Sequence, residues 1–383
     1  ISIFACVISL QVSFAQKKQL DHSVYDDWKS LSNLSVDDQG RFAGTIIKPQ
    51  EGDSKLFIQD LKKNRSYYHN RIENYIMSAN GSYTIGLLKA PFAATRQAKI
   101  DKKKPEEMPK DSLLIVDNET FNEIILPNVK SYKTSDEQGS YVAYLTVSEK
   151  DTTEHVKDSI DNNAKKKKDK EKELLVLYNL KTTNKDTLQN IKSYTFNKYG
   201  NAFAAIIEPD KKDSTDTPGV IFIDLNDYSK KRISNEKAEY KSLSFDETGE
   251  QLVYLATKDT SKVEQKVFDV RYFNHKADSA VILATAKSAK LPANWIFNEN
   301  SNPSFSKNGK RILLGAAPKQ APKDTTIVDF EVASLDLWHW KDPYLQPQQL
   351  SNLSNELKRT YTGVIELDKN NAFTLLANEE MPY

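Results

Sequence analysis

Residues 35–47 read SVDDQGRFAGTII, and this stretch decides the fold because its pattern occurs six times along the chain. In each copy a short polar residue stands three positions before a glycine, a polar residue follows the glycine, and an apolar run comes next. The other copies are 76–88 (IMSANGSYTIGLL), 133–145 (KTSDEQGSYVAYL), 194–207 (YTFNKYGNAFAAII), 243–256 (LSFDETGEQLVYLA) and 303–316 (PSFSKNGKRILLGA). Half of the 12 glycines fall on this one position, so the repeat is not accidental.

The repeated pattern predicts a tight turn that leads into a strand. We expect the short polar side chain to accept hydrogen bonds from backbone two or three residues further on. Glycine then adopts the positive φ that a Cβ would penalise. The alternating residues that follow are typical of a half-buried strand. The turn residues are Asp37, Ser78, Asp136, Asn197, Asp246 and Ser306, and the glycines are Gly40, Gly81, Gly139, Gly200, Gly249 and Gly309.

Further strands are predicted after a variable loop in each unit. The segments KLFIQDLKKN, SLLIVDNETF, ELLVLYNLKTT and GVIFIDLNDY are apolar runs that end in Asp or Asn, as a hairpin requires. Without its insertions each unit has about the length of a four-stranded propeller blade, 40 to 50 residues. We therefore predict an all-β fold, a β-propeller of four-stranded blades, with about six to seven blades in an incomplete ring. A β-sandwich of unrelated hairpins is the alternative.

The N-terminal residues predict export. An apolar run from Ile1 to Phe14 is followed by Ala15 and then by polar sequence, which is typical of a signal peptide cleaved before Gln16. The lone Cys6 lies inside this run, so the mature chain would contain no cysteine. We expect a signal peptide at 1–15, a leading segment at 16–33 and propeller blades over 34–383, in a periplasmic or extracellular protein without a membrane span.

Three charged insertions interrupt the blades, at 99–112, 154–173 and 209–218. They contain few apolar side chains, so we expect solvated, mobile loops. The whole chain has 54 Lys and Arg against 53 Asp and Glu. This balance argues against nucleic acid as a partner, because such binding needs a basic surplus.

No catalytic or metal-binding motif is recognisable. The strained G-x-S-x-G elbow of a serine hydrolase is absent, as are phosphate-binding glycine loops. The histidines are His22, His69, His155, His275 and His339, and they stand singly, without metal-ligand spacing. We therefore predict no catalytic residue, no metal and no cofactor in this chain. A propeller glycosidase with axial carboxylates remains a minor alternative.

The stretch SLDLWHWKDPYLQ, 334–346, holds two of the four tryptophans. Strand alternation would place Asp336, Trp338 and Trp340 on one face. Two interpretations follow: the tryptophans pack between blades, or they line a peptide groove together with His339. Trp295 is expected at the core or rim, and Trp28 is expected to clamp the leading segment.

Residues 22–61 together with 334–349 (SLDLWHWKDPYLQPQQ) resemble long bacterial members of the prolyl oligopeptidase family of serine peptidases. The resemblance implies an N-terminal β-propeller that controls peptide access to a C-terminal α/β-hydrolase domain. The serine, aspartate and histidine triad of the family lies in that second domain. No position of this chain matches it, and neither Ser304 nor His339 takes such a role.

Two functions follow as hypotheses. The first is the non-catalytic, substrate-gating propeller of an exported serine peptidase, whose partners are a peptide substrate and the hydrolase domain of the same polypeptide. The alternative is a stand-alone exported propeller that binds protein, peptide or glycan through its loops.

Overall fold

A computed structural model describes residues 22–137, 139–147, 173–209, 216–259, 261, 265–320, 326–328, 331, 335, 337–369, 371–378 and 381. Six antiparallel sheets follow one another along these residues, each built from strands that are adjacent in sequence. This arrangement is a β-propeller of six blades within the described residues, which confirms the predicted fold class.

Blades 1 to 3 are four-stranded meanders. Blade 1 contains β1 (Lys29–Val36), β2 (Phe42–Pro49), β3 (Lys55–Asp60) and β4 (Arg65–Asn70). Blade 2 contains β5 (Ile72–Met77), β6 (Tyr83–Leu88), β7 (Ser112–Asp117) and β8 (Glu123–Leu126). Blade 3 contains β9 (Val129–Thr134), β10 (Tyr141–Val147), β11 (Glu173–Asn179) and β12 (Lys185–Gln189). The first blade therefore begins at Lys29, inside the segment that was expected to lead into it.

Blades 4 to 6 repeat this plan. Blade 4 contains β13 (Ile191–Phe196), β14 (Ala202–Ile207), β15 (Gly219–Asp224) and β16 (Ser229–Ser234). Blade 5 contains β17 (Glu239–Phe245), β18 (Gln251–Thr257), β19 (Asp269–Asn274) and β20 (Val281–Ala284). In blade 6 the first strand is split into β21 (Trp295–Ile296) and β22 (Ser304–Phe305), which both pair with β23 (Arg311–Pro318), and β24 (Tyr361–Glu366) and β25 (Ala372–Leu375) follow.

Two α-helices lie in connections between the second and third strands of a blade: α1 (Phe92–Ile100) and α2 (Gln346–Glu356). Helix α1 and a 3₁₀ turn at Pro105–Glu107 occupy part of the insertion predicted at 99–112. Ala98 of α1 is buried, and the Asp111 carboxylate accepts the Ala90 amide at 2.9 Å. Helix α1 overlaps the predicted insertion only at Lys99 and Ile100, and residues 101–107 are exposed, so the expectation of a solvated loop stays a prediction. Residues 154–172 and 210–215 of the other two insertions lie outside the described residues.

The apolar core is divided into five clusters, one at each interface between consecutive blades. The first strands of neighbouring blades also contact one another, so they line the axis. On the side of blade 1 that faces away from blade 2, the side chains of Leu31, Leu34 and Val36 are exposed. The corresponding positions of blade 2 hold the buried Ile72 and Tyr75, which pack on the blade before them.

The capping side chains of the repeated turns hold the following strand. Asp37 Oδ1 accepts the amides of Arg41 and Phe42 at 2.6 and 2.8 Å, and Asn197 Oδ1 accepts those of Asn201 and Ala202 at 3.0 and 2.9 Å. These bonds reach four and five residues on, further than expected. The expected three-residue spacing occurs at Asp246, whose Oδ1 accepts the Gly249 amide at 2.9 Å. Spacings of two and three residues also occur at the end of β3, where Asp60 Oδ1 accepts the Lys62 and Lys63 amides.

Blade 3 departs from the predicted alignment. Its turn runs over 135–140 and is one residue longer than the others, so Ser135 is buried at the capping position while Asp136 is exposed. Asp136 therefore does not occupy the capping position, and the Oγ of Ser135 has no hydrogen-bond partner among the described residues.

Four of the turn glycines, Gly81, Gly200, Gly249 and Gly309, also pack against the blade before them. Five of the six have φ between 61° and 82°: Gly40, Gly81, Gly200, Gly249 and Gly309. A Cβ on Gly81 would lie 2.5 Å from Oδ2 of Asp37, and one on Gly249 would lie 2.7 Å from Nδ2 of Asn197. Adjacent turns are hydrogen-bonded as well, from the Asp38 amide to Ala79 O, from Ala79 to Glu137 O and from Glu137 to Lys198 O, at 2.9 to 3.0 Å. Because Gln251 Nε2 also reaches Gly309 O at 3.1 Å, all six turns lie on one face.

This packing predicts unequal costs for two matched substitutions. Gly40 and Gly81 have nearly the same φ, but a Cβ on Gly40 would meet no atom within 4 Å. We expect Gly40→Ala to lower the free energy of unfolding by about 1–2 kcal/mol through backbone strain alone. Gly81→Ala should cost about 1–3 kcal/mol more, because it also displaces Asp37. Urea unfolding measures both, and equal costs would contradict the packing role.

Candidate functional site

The second strand of each blade ends, and the third begins, at one face of the propeller. The chain between these two strand ends varies most in length, from residues 50–54 in blade 1 to residues 319–360 in blade 6. The opposite face carries the glycine turns and the short turns between third and fourth strands. We call these the loop face and the turn face. Binding residues concentrate on loops that a rigid scaffold positions, so the loop face is the candidate for recognition.

The tryptophan segment lies on the loop face, but it is not a strand. Residues 337–339 have no regular structure, a turn covers Trp340 and Lys341, and Asp336 lies outside the described residues. The side chains of Trp338 and Trp340 are 54% and 76% exposed. Packing between blades was therefore the wrong interpretation. The peptide-groove role of Trp338, His339 and Trp340 stays a prediction.

Local hydrogen bonds hold the tryptophan segment in shape. The carboxylate of Asp342 accepts the His339 amide at 2.9 Å, and His339 Nδ1 accepts the Lys341 amide at 3.1 Å. The His339 ring lies 5.8 Å from that of Trp340, whose other contact is the Lys341 ammonium at 5.1 Å from the ring centre. The hydrogen bond from the His339 amide helps keep the pKa of the Asp342 carboxyl below its usual range. The aromatic side chains are thus presented to solvent on a short, braced loop.

The other two tryptophans lie apart from this segment. Trp295 is half-buried in blade 6, with its ring 5.0 Å from that of Tyr361, which agrees with the predicted core or rim position. Trp28 contacts Tyr25 at 5.3 Å and is otherwise exposed. Trp28 therefore contacts the 3₁₀ helix at His22–Asp27 rather than lying buried over it.

Two cavities lie along the axis, toward the turn face. The larger, about 560 Å³, is lined by the first strands and turns of blades 4 to 6, including Phe196, Phe245 and Phe305. The smaller, about 300 Å³, lies between blades 2 to 4 beside Tyr132 and Thr195. The axis therefore contains solvent-accessible space with mixed apolar and polar walls.

Ion pairs span neighbouring blades around the axis. On the turn face Lys198 Nζ lies 3.0 Å from Glu137 and 2.7 Å from Glu247, so blade 4 is tied to blades 3 and 5. The hydrogen bonds to Glu247 and Glu137 raise the pKa of Lys198, and the bond from Lys198 lowers that of Glu247. This cluster joins one ammonium to two carboxylates across three blades.

A second charged cluster lies where the first strands begin, toward the loop face. Glu239 accepts Lys266 Nζ at 2.8 Å and lies 3.4 Å from Lys241 Nζ, and Lys192 Nζ lies 2.8 Å from Glu208. Burial raises the pKa of Glu239, but the hydrogen bond from Lys266 and the charge of Lys241 bring it below the usual value.

The histidines of the described residues do not form a cluster. His22, His69, His275 and His339 lie in different blades or segments, and His155 is outside the described part. Within that part no three His, Cys, Asp or Glu side chains are grouped so as to hold a metal ion. No helix described there is long and apolar enough to cross a membrane.

Sequence reasoning missed the tyrosines of the first strands, although their repeat was visible. Residues 72–75 (IENY), 129–132 (VKSY) and 191–194 (IKSY) share one pattern. Each tyrosine packs toward the preceding blade: Tyr75 donates to Asn33 O at 2.8 Å, and Tyr132 donates to Ile85 O at 3.1 Å. These residues hold the walls of the axis together.

Solved structures that resemble this chain are β-propellers. The β-propeller domain of the Trilobed protease from Pyrococcus furiosus aligns over 76% of this chain and 80% of that domain, with 10% identity and a TM-score of 0.38. Acylaminoacyl peptidase from Pyrococcus horikoshii aligns over 78% of this chain, with 8% identity and a TM-score of 0.39. An oligogalacturonate lyase in complex with manganese aligns over 90% of this chain and 76% of the lyase, with 12% identity and a TM-score of 0.40.

The alignment spans 44% of the acylaminoacyl peptidase, so this chain matches less than half of that protein. At these identities the likeness concerns the fold alone. No protein-family model matches the sequence, and no curated protein matches it.

Burial of the first-strand tyrosines predicts a loss of stability at alkaline pH. Burial raises the pKa of Tyr132 to about 12, from 10.0 in the unfolded chain. A group whose folded pKa is raised contributes its full stability below pH 10 and loses it as the pH rises toward 12. The loss amounts to about 1.4 kcal/mol per unit of pKa shift, roughly 3 kcal/mol in total.

Tyr132→Phe removes this titration together with one hydrogen bond. The variant should be less stable than the wild type at pH 8, and the difference should shrink by about 1 kcal/mol at pH 11. Urea midpoints at the two pH values measure this. A difference that stays constant would contradict the assigned burial of Tyr132.

Proposed function

We propose that this chain forms the peptide-admitting propeller of an exported serine peptidase of the prolyl oligopeptidase family. One observation carries the proposal: six blades surround an axis with solvent cavities, and their second strands all end at a single face. In the proposal this face meets a second domain, and the axis admits an extended peptide. The resemblance of residues 22–61 and 334–349 to that family supports the same function.

In this proposal the propeller selects substrates by shape. An extended peptide enters between the first strands, whereas a folded domain is excluded. The hydrolase domain supplies the catalytic triad, and this chain admits the peptide to that domain. Export is part of the proposal, and it rests on the apolar leader before Gln16. N-terminal sequencing of the protein recovered from the periplasm or the medium tests it, and a first residue of Gln16 would support it.

The chain alone should therefore lack peptidase activity. We expect no hydrolysis of proline-containing fluorogenic peptides by the 383-residue chain, because no serine hydroxyl of the described residues is hydrogen-bonded to a histidine ring. Turnover that a serine-directed covalent inhibitor abolishes would contradict this. The coding sequence beyond Tyr383 is the second test: a G-x-S-x-G motif within an α/β region supports the proposal, and its absence selects a stand-alone binding propeller.

The braced tryptophans are proposed as the first contact for a peptide at the loop face. Exposed aromatic side chains supply large contact areas at little entropic cost. We expect Trp338→Ala combined with Trp340→Ala to weaken binding of an unstructured, fluorescein-labelled peptide at least about tenfold in polarisation assays. Tyr199→Ala is the control, because Tyr199 is an exposed aromatic side chain in a glycine turn of the turn face. Equal affinities for all three proteins would exclude the tryptophans as the contact.

A further inference from the structure

Each first strand presents one asparagine or serine at the same level of the axis. Counting back four residues from the capping residue of every turn, with Ser135 as that residue in blade 3, always reaches Asn or Ser. We call this set the polar belt: Asn33, Asn74, Ser131, Ser193, Ser242 and Asn302. The neighbouring level is not uniform, since one residue earlier the strands hold Ser32, Glu73, Lys130, Lys192, Lys241 and Ser301. The uniform chemistry of the belt is therefore specific to one level.

Contacts between blades place the belt residues side by side. Asn33 Nδ2 donates to Asn74 Oδ1 at 2.7 Å and to Tyr75 O at 3.1 Å, which joins blades 1 and 2. Ser242 Oγ donates to Asn302 Oδ1 at 3.4 Å, which joins blades 5 and 6. Five of the six side chains are exposed and Ser242 is half-buried. The first strands that carry these side chains line the axis, and the belt lies on the loop-face side of the residues that line the two axial cavities.

The backbone is distorted at the same level. Asn33 and Ser242 have φ of 54° and 56°, and Asn302 has φ of 36°. The pairing of first and second strands shifts register between Ser32 and Ser35, and again between Lys241 and Ser244. Bulges re-aim side chains, and left-handed backbone at non-glycine residues costs energy and is concentrated at functional sites. The strain therefore coincides with the belt.

We propose that the polar belt binds the main chain of an extended peptide in the axis. Asparagine offers both donors and an acceptor, and serine offers one donor and two lone pairs. These are the partners of peptide N–H and C=O groups. The belt carries no charge, so it would hold any sequence without selecting its side chains. This inference rests on the proposed function. It adds that the main chain of the peptide is the part of the substrate that is recognised.

Ser193 separates ligand binding from a structural role. Within the described residues its side chain makes no hydrogen bond, whereas Asn74 holds Asn33 and Ser131 bonds to Tyr194. Loss of the Ser193 hydroxyl should therefore leave the fold intact. Asn74→Ala tests the amide part of the belt, and Asn122→Ala on the outer turn of blade 2 is its matched control.

The experiment uses the full chain and two fluorescein-labelled twelve-residue peptides of Gly, Ala and Ser. The second peptide has the same sequence with alternate backbone amides N-methylated, so that it lacks those donors. We expect N-methylation to weaken binding to the wild type about tenfold, and Ser193→Ala to weaken binding of the first peptide about fivefold. N-methylation should weaken peptide binding less in Ser193→Ala than in the wild type. A purely structural effect of the substitution would not produce this difference.

The outcomes distinguish the belt from the wider proposal. Peptide binding that neither N-methylation nor Ser193→Ala changes would overturn the belt and leave the peptide-admitting function standing. Absence of any peptide binding would overturn both. Should Asn74→Ala fail to fold, Ser193→Ala and the N-methylated peptide still decide the question.

Discussion

The contact between a turn glycine and the capping side chain of the preceding blade is the constraint on which the propeller depends. The capping residue organises its own strand through two backbone amides, and the same side chain occupies the space that a Cβ on the next glycine would need. Glycine is thus required twice, for its positive φ and for the close approach of the neighbouring blade. Since each blade buries its apolar side chains only against its neighbours, register at the turns fixes the core at every interface.

This constraint also explains why peptide binding is assigned to the loop face and to the axis. Turns that are hydrogen-bonded to one another around the axis leave little room for insertions, and the chain places its long connections where the second strands end. The tryptophan segment and α2 both belong to the longest described connection, in blade 6. Their exposed apolar side chains carry no part of the blade core, so they are free to take part in binding.

The repeat made the fold predictable because a tight turn has strong local rules. A short polar residue, a glycine and an alternating strand recur in each copy. The hydrogen bonds and the positive φ of the turn require the first two, and neither depends on distant contacts. Ser135 could not be preferred to Asp136 from local rules, since the extra residue in that turn shows only in its pairing with the next strand. Helix α1 was missed because the charged composition of its surroundings favoured a loop, although Ala98 finds a buried position.

The site was less predictable than the fold. Alternation in LDLWHW suggests a strand, but strand formation needs a partner, and the connection between β23 and β24 offers none to Trp338. The polar belt, by contrast, was accessible from sequence: counting back four residues from each cap finds it in five blades, and the corrected cap finds it in the sixth. Its meaning required the structure, which shows that the first strands line the axis.

Hydrogen exchange at the turn amides tests the blade arrangement most directly. The amides of Asp38, Ala79 and Glu137 have their acceptors in the next blade, not in their own turn. Exchange measured at single-residue resolution should be strongly retarded at all three, because only global separation of the blades would release them. Exchange at the rate of an unstructured peptide at these three amides would show that the blades do not close side by side around an axis.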